Sequence, residues 1–390
     1  MWLEPSGLSA AACINTFRSR ILPHFPFIHL PAHVPVPALQ RDRPLLFRAI
    51  VCVASPTARE RQALAAKLKQ DLCEAVFLQQ GQHEMESQHS GMEQRMDVLL
   101  GLLLYAAFGW DDVLISRLTI LAMSMVGEMR LDKLASPEVR ALAFMNPAVK
   151  QLDGQITPQY SLECQRAVLA CFALSSVASA QLGQVNALRW TAEMDSYLAA
   201  VSGSTDCPTD AALVLQVRLQ LLTSKALQLR DRDPAMTAQI ATQALVVQLQ
   251  ELWPAVQKHQ ALLNLPRQEF RAISFLQWAQ LTRCVIVLHR LESLQFPDPR
   301  WNPAAVRAVV DLPVLLGRIG EKLDMAAREV GEEAGDDVFT RLAGGVRAFR
   351  ERVGQERAAQ KQVGQERVVQ EHAIQDRVVQ EGCAGAGAAG

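Results

Sequence analysis

The sequence Val98–Trp110, VLLGLLLYAAFGW, decides the fold class, because it is the most apolar run of the chain and is bracketed by Asp97 and Asp111. A membrane-spanning helix needs about 20 apolar residues, so this run is too short to cross a bilayer. A second apolar run, residues 167–180, is interrupted by three serines. Both runs are typical of helices that lie in the core of a large protein, and the sequence predicts no membrane span.

Helix signals also dominate on either side of these runs. The pattern of a helix with one core-facing stripe, apolar residues at steps close to three and four, occurs at Phe270, Ile273, Leu281, Cys284 and Leu288. No apolar strand-length runs alternate with such segments, so parallel βαβ architecture is disfavoured. We predict an all-α fold, a large irregular multi-helix domain, with helical patches at 57–80, 91–108, 111–129, 158–183, 209–230, 234–252, 267–295 and 303–330.

Two stretches depart from this helical pattern. Residues 22–43 carry five prolines, and proline at that density predicts an extended connector instead of a helix. The C-terminal region is a near-repeat with a period of ten, in which VGQER at 353–357 recurs at 363–367 and becomes AIQDR at 373–377. Ten residues turn an ideal helix by about 1000°, which is about 80° short of three turns, so the repeat does not form a coiled-coil seam.

These observations predict two parts of the chain. Residues 1–350 form the helical domain, with a candidate hinge near 202–208, where glycine, serine, aspartate and proline cluster. Residues 351–390 form a decad-repeat tail that is either a frayed helix or disordered, and an oligomerisation arm is the alternative.

Charge and cysteine content exclude several classes of function. The 390 residues contain 39 Lys and Arg against 40 Asp and Glu, a formal net charge of −1, so the chain lacks the basic footprint of a nucleic-acid binder. None of its 8 cysteines forms a C-x-x-C pair, the spacing that presents two thiolates to a metal. His24, His29 and His33 lie close together in sequence, but turn residues that cover a helix end explain them better than a metal site.

Two stretches of the sequence resemble functional motifs, but neither has the spacing or the neighbouring elements that its motif requires. The G-x-G-x-x-G at 385–390 follows a polar repeat and not the strand that a dinucleotide site requires. His83 and Glu84 resemble the start of a zinc-protease motif, but the next histidine, His89, has the wrong spacing. The sequence therefore predicts no enzyme, no catalytic or metal-binding residue, and no direct DNA-binding residue.

Three sequence blocks carry a family resemblance. The first joins FPFIHLP at 25–31 to RPLLFRAI at 43–50, and the second is MDVLLGLLLY at 96–105. The third and most specific block begins with ECQR and ends with LSS in 163–176, and it continues as LRWTAEMD at 188–195. Together the blocks resemble the middle homology region of fungal binuclear zinc-cluster transcription factors, in which E-x-x-R, LSS and LRWT-x-x-MD follow each other in this order.

The resemblance implies an all-helical regulatory domain and a set of candidate regulatory positions. These positions are Glu163, Arg166, Ser175, Ser176, Arg189, Trp190 and Asp195. It also implies a nuclear location and partners among the transcription machinery or related transcription factors, with a homodimer as one arrangement. The family reads DNA with a six-cysteine zinc cluster that this sequence does not contain, so zinc is expected only if an upstream cysteine cluster is missing from this chain.

The motif residues also have a structural interpretation of their own. Glu163 and Arg166 are three residues apart on a predicted helix, which favours a surface ion pair. Ser175 and Ser176 are expected to bond back to the preceding turn or to permit close helix approach. Thr191 is a candidate N-cap beside Trp190, a candidate core anchor. The functional alternative places the Arg189–Trp190 region in an effector pocket or activation interface.

The functional hypothesis is a transcription regulator, namely the regulatory domain of a fungal zinc-cluster-type transcription factor that lacks its own DNA-binding cluster. The alternative is a helical ligand-sensing or partner-binding scaffold, which acts as an accessory to related factors or inhibits them.

Overall fold

The computed structural model describes residues 10–77, 88–109, 112–132, 161–183, 185–230, 247–252, 272–293, 310–328 and 339–359, together with single positions at 254, 304, 307, 308, 362 and 365. Every regular element in these ranges is helical, and no strand occurs among them. The predicted all-α fold is confirmed. Within the same residues, no helix is long and apolar enough to span a membrane.

The α-helices are, in chain order, α1 Ala10–Thr16, α2 Val36–Asp42, α3 Pro44–Ala54, α4 Ala58–Phe77, α5 Gln88–Ala107, α6 Asp112–Glu128, α7 Leu162–Leu182, α8 Ala192–Gly203, α9 Asp210–Arg230, α10 Phe275–Ser293 and α11 Leu312–Arg328. A π-helical turn, Phe17–Ile21, and a 3₁₀ turn, Leu22–His24, follow α1. A further helical segment covers 339–359. The chain divides into two compact units, residues 1–283 and 284–390.

The core of the first unit is built on α5 and α7. Helix α5 packs against α3 and α6, and α7 packs against α6, α8 and α9. The two apolar runs supply this core, since Leu99, Leu102 and Leu103 of α5 and Val168 and Leu169 of α7 are completely buried. Helices that are apolar on every side need other helices around them, which explains why both runs lie at the centre.

Helix α7 has a defined start and end. The Ser161 hydroxyl accepts a hydrogen bond from the Cys164 backbone N–H at 3.4 Å, as an N-cap does. The helix ends at Gly183, which adopts the left-handed conformation with φ 65°. The predicted start at residue 158 is four residues early, because Ser161 occupies the cap position and the helix begins at Leu162.

The proline-rich stretch is only partly extended. The predicted connector is wrong at residues 22–24, which form the 3₁₀ turn, and it is wrong again for residues 36–42. These residues form α2, in which Pro35 is the N-cap and Pro37 lies in the first turn. Proline is tolerated there because the first turn has no intrahelical use for its missing N–H. The preceding residues are part of the core, since Phe25, Phe27 and Ile28 are each 1% exposed.

The second unit is organised around α11, which buries one face through Leu312, Leu316, Ile319 and Leu323. The helical segment 339–359 contributes buried side chains at its start and near its end. It includes the first residues of the predicted tail. The domain boundary predicted at residue 350 and the hinge near 202–208 stay predictions, and the G-x-G-x-x-G motif and most of the repeat lie outside the described residues.

Candidate regulatory site

Polar residues of the three motif blocks meet at the start of α3. Arg43, the residue before this helix, binds the Glu163 carboxylate of α7 at 2.9 Å and also donates to the Glu93 carbonyl oxygen at 3.0 Å. Asp97 of α5 accepts the backbone N–H groups of Leu45 and Leu46, each at 2.9 Å. We call Arg43, Asp97 and Glu163 the α3 junction, because these side chains join three segments that are far apart in sequence.

Asp97 acts as an N-cap supplied by another helix. The first N–H groups of a helix have no intrahelical acceptor, and the carboxylate satisfies two of them in α3. Burial raises the pKa of the Asp97 carboxyl above its ordinary value, while the two backbone hydrogen bonds and the charges of Arg43 and Arg48 act in the opposite direction. The Asp97 side chain therefore connects α5 to α3, although removing its carboxylate from water costs free energy.

Arg166 forms a buried pair with Asp210 at the start of α9. Its Nε and Nη2 groups donate to the two carboxylate oxygens of Asp210, each at 2.8 Å. The side chains are 5% and 4% exposed. The hydrogen bond to Asp210 raises the pKa of the guanidinium further, against the effect of burial. The predicted surface pair of Glu163 and Arg166 is wrong, because Arg166 points into the protein and Glu163 pairs with Arg43.

His29 lies beside this buried pair. Burial lowers the pKa of the His29 imidazole, and the positive charge of Arg166 lowers it as well, whereas Asp210 and Asp206 act in the opposite direction. The lowered pKa favours the neutral form of the His29 ring.

The two serines of the LSS motif have different environments. The Ser175 hydroxyl donates to the Phe172 carbonyl oxygen at 3.1 Å, which is the back-bond expected from the sequence, and it accepts the Leu188 N–H at 3.0 Å. Ser175 thus ties the segment before α8 to α7. Ser176 is 6% exposed, and its hydroxyl has no hydrogen-bond partner within the described part of the chain.

The LRWT segment lies against the core with one side open. The Trp190 ring meets Phe172 edge-on at 4.7 Å, and its indole N–H donates to the Asp195 carboxylate at 2.9 Å. The Thr191 hydroxyl donates to the Asp132 carbonyl oxygen at 2.9 Å, so Thr191 stands at the N-cap position of α8 without capping it. Arg189 is exposed. The Trp190 anchor expected from the sequence is present, and the predicted Thr191 cap is wrong.

The sequence motifs did not identify four residues that complete these contacts, namely Arg43, Asp97, Asp132 and Asp210. Arg43 and Asp97 lie within the quoted motif blocks, so the blocks contained a signal for them. Asp210 is 44 residues from Arg166, and no spacing rule connects the two. Across the described ranges, no group of three or more His, Cys, Asp or Glu residues is arranged to hold a metal ion.

Comparison with known proteins identifies similar chains. Transcription factor opdL from Penicillium oxalicum is 22% identical over 409 residues, which covers 87% of this chain and 69% of that protein. A protein named transcription factor from Aspergillus terreus is 29% identical over 245 residues, which covers 62% of this chain and 31% of that protein. The resemblance to fungal transcription factors is confirmed.

The C-terminal region has a separate match. The model of the ATEG07667_C family, described as a C-terminal domain, matches residues 267–382. No solved structure matches the chain. The chain corresponds to about a third of the Aspergillus terreus transcription factor and about two thirds of opdL. The regulatory roles of Glu163, Arg166, Ser175, Ser176, Arg189, Trp190 and Asp195 stay predictions.

Proposed function

We propose that this chain is a transcription regulator whose helical first unit is a regulatory domain of the fungal zinc-cluster type, acts in the nucleus, and has no catalytic role. The observation that carries the proposal is the similarity to two proteins named transcription factors, over 87% of this chain in one of them. The contacts of the motif residues support it further. They join the three blocks of the family pattern into one packed structure.

The buried and the exposed motif residues have different roles in this proposal. Arg166 and Ser175 are buried and hold α7 against neighbouring segments, so their role is structural. Arg189 is exposed and follows Leu188, which Ser175 fixes. Because Trp190 anchors the same segment on Phe172, the Arg189 guanidinium is presented to solvent from a rigid position. We assign to it a contact with a partner from the transcription machinery or a related transcription factor.

The absence of a C-x-x-C pair in these 390 residues supports regulation without a DNA reader in this sequence. An element that enters a DNA groove and phosphate contacts that position it are both needed for direct readout. The proposed chain therefore acts on transcription through other proteins and needs no zinc of its own.

A tethering experiment tests this function. The full chain is fused to an unrelated DNA-binding domain and assayed on a reporter gene in a fungal host. We expect the fusion to change reporter output at least about threefold, and Arg189→Ala to remove most of that change while thermal unfolding stays the same.

Arg218→Ala provides the matched control, because Arg218 is an exposed arginine on α9 and lies outside the LRWT motif. It should leave both reporter output and unfolding unchanged. A fusion with no effect on the reporter would contradict the regulator. If the fusion had no effect on the reporter but the chain lowered the activity of a co-expressed related factor, the alternative function would be supported, namely a scaffold that inhibits related factors.

A further inference from the structure

The second unit contains a buried carboxylate that is satisfied by the start of the decad repeat. Glu292 of α10 is 5% exposed. Its two oxygens accept hydrogen bonds from Nη2 of Arg357 at 2.8 and 2.9 Å, and Nε of Arg357 contributes a third at 3.2 Å. Nη1 of Arg357 also donates to Asp311 at 3.0 Å. A single arginine of the repeat therefore binds two acidic side chains.

Two other residues of the same pentapeptide are also docked. Val353 is 1% exposed and, with Ser293, lines a small pocket. The Glu356 carboxylate lies 3.2 Å from Nε2 of His289. We call His289, Glu292 and Asp311 the tail acceptor. Residues 353–357, VGQER, are its occupant in this structure and are called the first copy.

The second copy, residues 363–367, has the same five residues VGQER. The third copy, AIQDR at 373–377, keeps the arginine but has alanine for the docked valine and the shorter aspartate for the glutamate. A shift of ten residues along an ideal helix corresponds to about 15 Å and a rotation of about 80°, so the two copies cannot occupy the acceptor at the same time. All three copies fall within the range that the C-terminal family model matches.

We propose that the tail acceptor is a binding site for arginine-bearing helical peptides of the VGQER type, and that the second copy is its alternative occupant within this chain. Each contact of the first copy has an identical residue available in the second. A vacant acceptor would leave Glu292 without its arginine partner, which is unfavourable. Any segment that supplies the same valine, glutamate and arginine can therefore restore the contacts of the acceptor.

The residues that follow the two copies differ, but this difference does not prevent the second copy from replacing the first. Ala358 and Ala359 follow the first copy and are exposed, and the equivalent residues after the second copy are Val368 and Val369. An exposed position accepts either side chain with little change in stability.

An internal deletion in the full chain tests the proposal. Removing residues 353–362 places the second copy directly after Arg352, where the first copy stood. The measurement is amide hydrogen exchange of residues 284–293, which reports opening of α10 at the acceptor. We expect exchange within about twofold of the parent chain, because Arg367 takes the place of Arg357.

Two further variants decide the outcome. In the deletion background, Arg367→Ala should speed exchange at 284–293 by about tenfold or more, whereas Arg377→Ala, the matched control in the third copy, should have no effect. Fast exchange in the simple deletion, or no response to Arg367→Ala, would overturn the proposal. Circular dichroism confirms that every variant retains its helical content, so a global folding failure is recognised separately.

Discussion

Two arginine–carboxylate pairs, one in each unit, show how burial changes the same interaction. In both pairs, Arg166–Asp210 in the first unit and Arg357–Glu292 in the second, Nε and Nη2 of the arginine donate to the carboxylate. The distances are 2.8 Å in the first pair and 2.8–3.2 Å in the second. In the first pair both side chains are buried. In the second pair the arginine is 23% exposed and has Asp311 as a second partner. Removing either side chain of the first pair therefore leaves a buried charge without its partner. Removing Glu292 from the second pair leaves Arg357 with water and Asp311 as partners.

The largest expected effect follows from this difference. Asp210→Ala leaves the Arg166 guanidinium buried without a carboxylate, and we expect the free energy of unfolding to fall by about 3–5 kcal/mol. Glu292→Ala leaves Arg357 in contact with water and Asp311, so the loss should be only about 1–2 kcal/mol. Urea unfolding followed by the helical circular dichroism signal measures both.

Arg218→Ala serves here as a surface reference and should stay within about 0.5 kcal/mol of the parent chain. Equal losses for Asp210→Ala and Glu292→Ala would show that exposure of the remaining arginine is irrelevant. The contrast between the two pairs would then be wrong.

A smaller effect concerns Asp97, a buried acid whose partners are backbone N–H groups and not a single arginine. Burial raises its pKa in the folded state, so its protonated form is favoured by folding. Stability from this group is therefore fully present below the ordinary pKa of aspartate and is lost as pH rises through the raised pKa.

Asp97→Asn removes this titration and keeps an oxygen to accept from α3. We expect the parent chain to lose stability relative to Asp97→Asn as pH rises from about 4 towards neutrality, measured as urea midpoints at several pH values. Asp97→Ala is the companion variant and should be about 1–2 kcal/mol less stable than Asp97→Asn at every pH, because neither variant titrates and two helix N–H groups lose their acceptor. A constant difference between the parent chain and Asp97→Asn would refute the assignment of the titration to this carboxyl.

The smallest effect is at the end of α6. Arg130 has φ 54°, and the next residue, Leu131, donates to the Val126 carbonyl oxygen at 3.0 Å, which is the arrangement that glycine usually completes. Arg130→Gly should raise the free energy of unfolding by about 0.5 kcal/mol, because the strain of the left-handed conformation slightly outweighs the entropy of a more flexible unfolded chain. Arg117→Gly, on the exposed face of the same helix, should instead lower it by about 1 kcal/mol. Equal signs for the two variants would contradict this account.

The helical class was predictable from sequence because it depends on local periodicity and on the apolar runs that became α5 and α7. Residues 36–42 were not predictable in the same way, since proline density suggested an extended chain and the position of Pro37 within the first turn allowed a helix. The motif blocks also identified Trp190 as an anchor and the local back-bond of Ser175 to Phe172. They did not identify the partner of Arg166.

By itself, the sequence determined the all-α class, the burial of the two apolar runs and the resemblance to fungal transcription factors, because these depend on residue types at short spacing. Only the tertiary structure decided that Arg166 turns inward to Asp210, that Glu163 pairs with Arg43, and that Arg357 closes on Glu292. Each of these pairs joins residues that are 44 to 120 positions apart. Such contacts form when packed helices bring distant charges together and exclude water, and no local pattern encodes which carboxylate is left within reach.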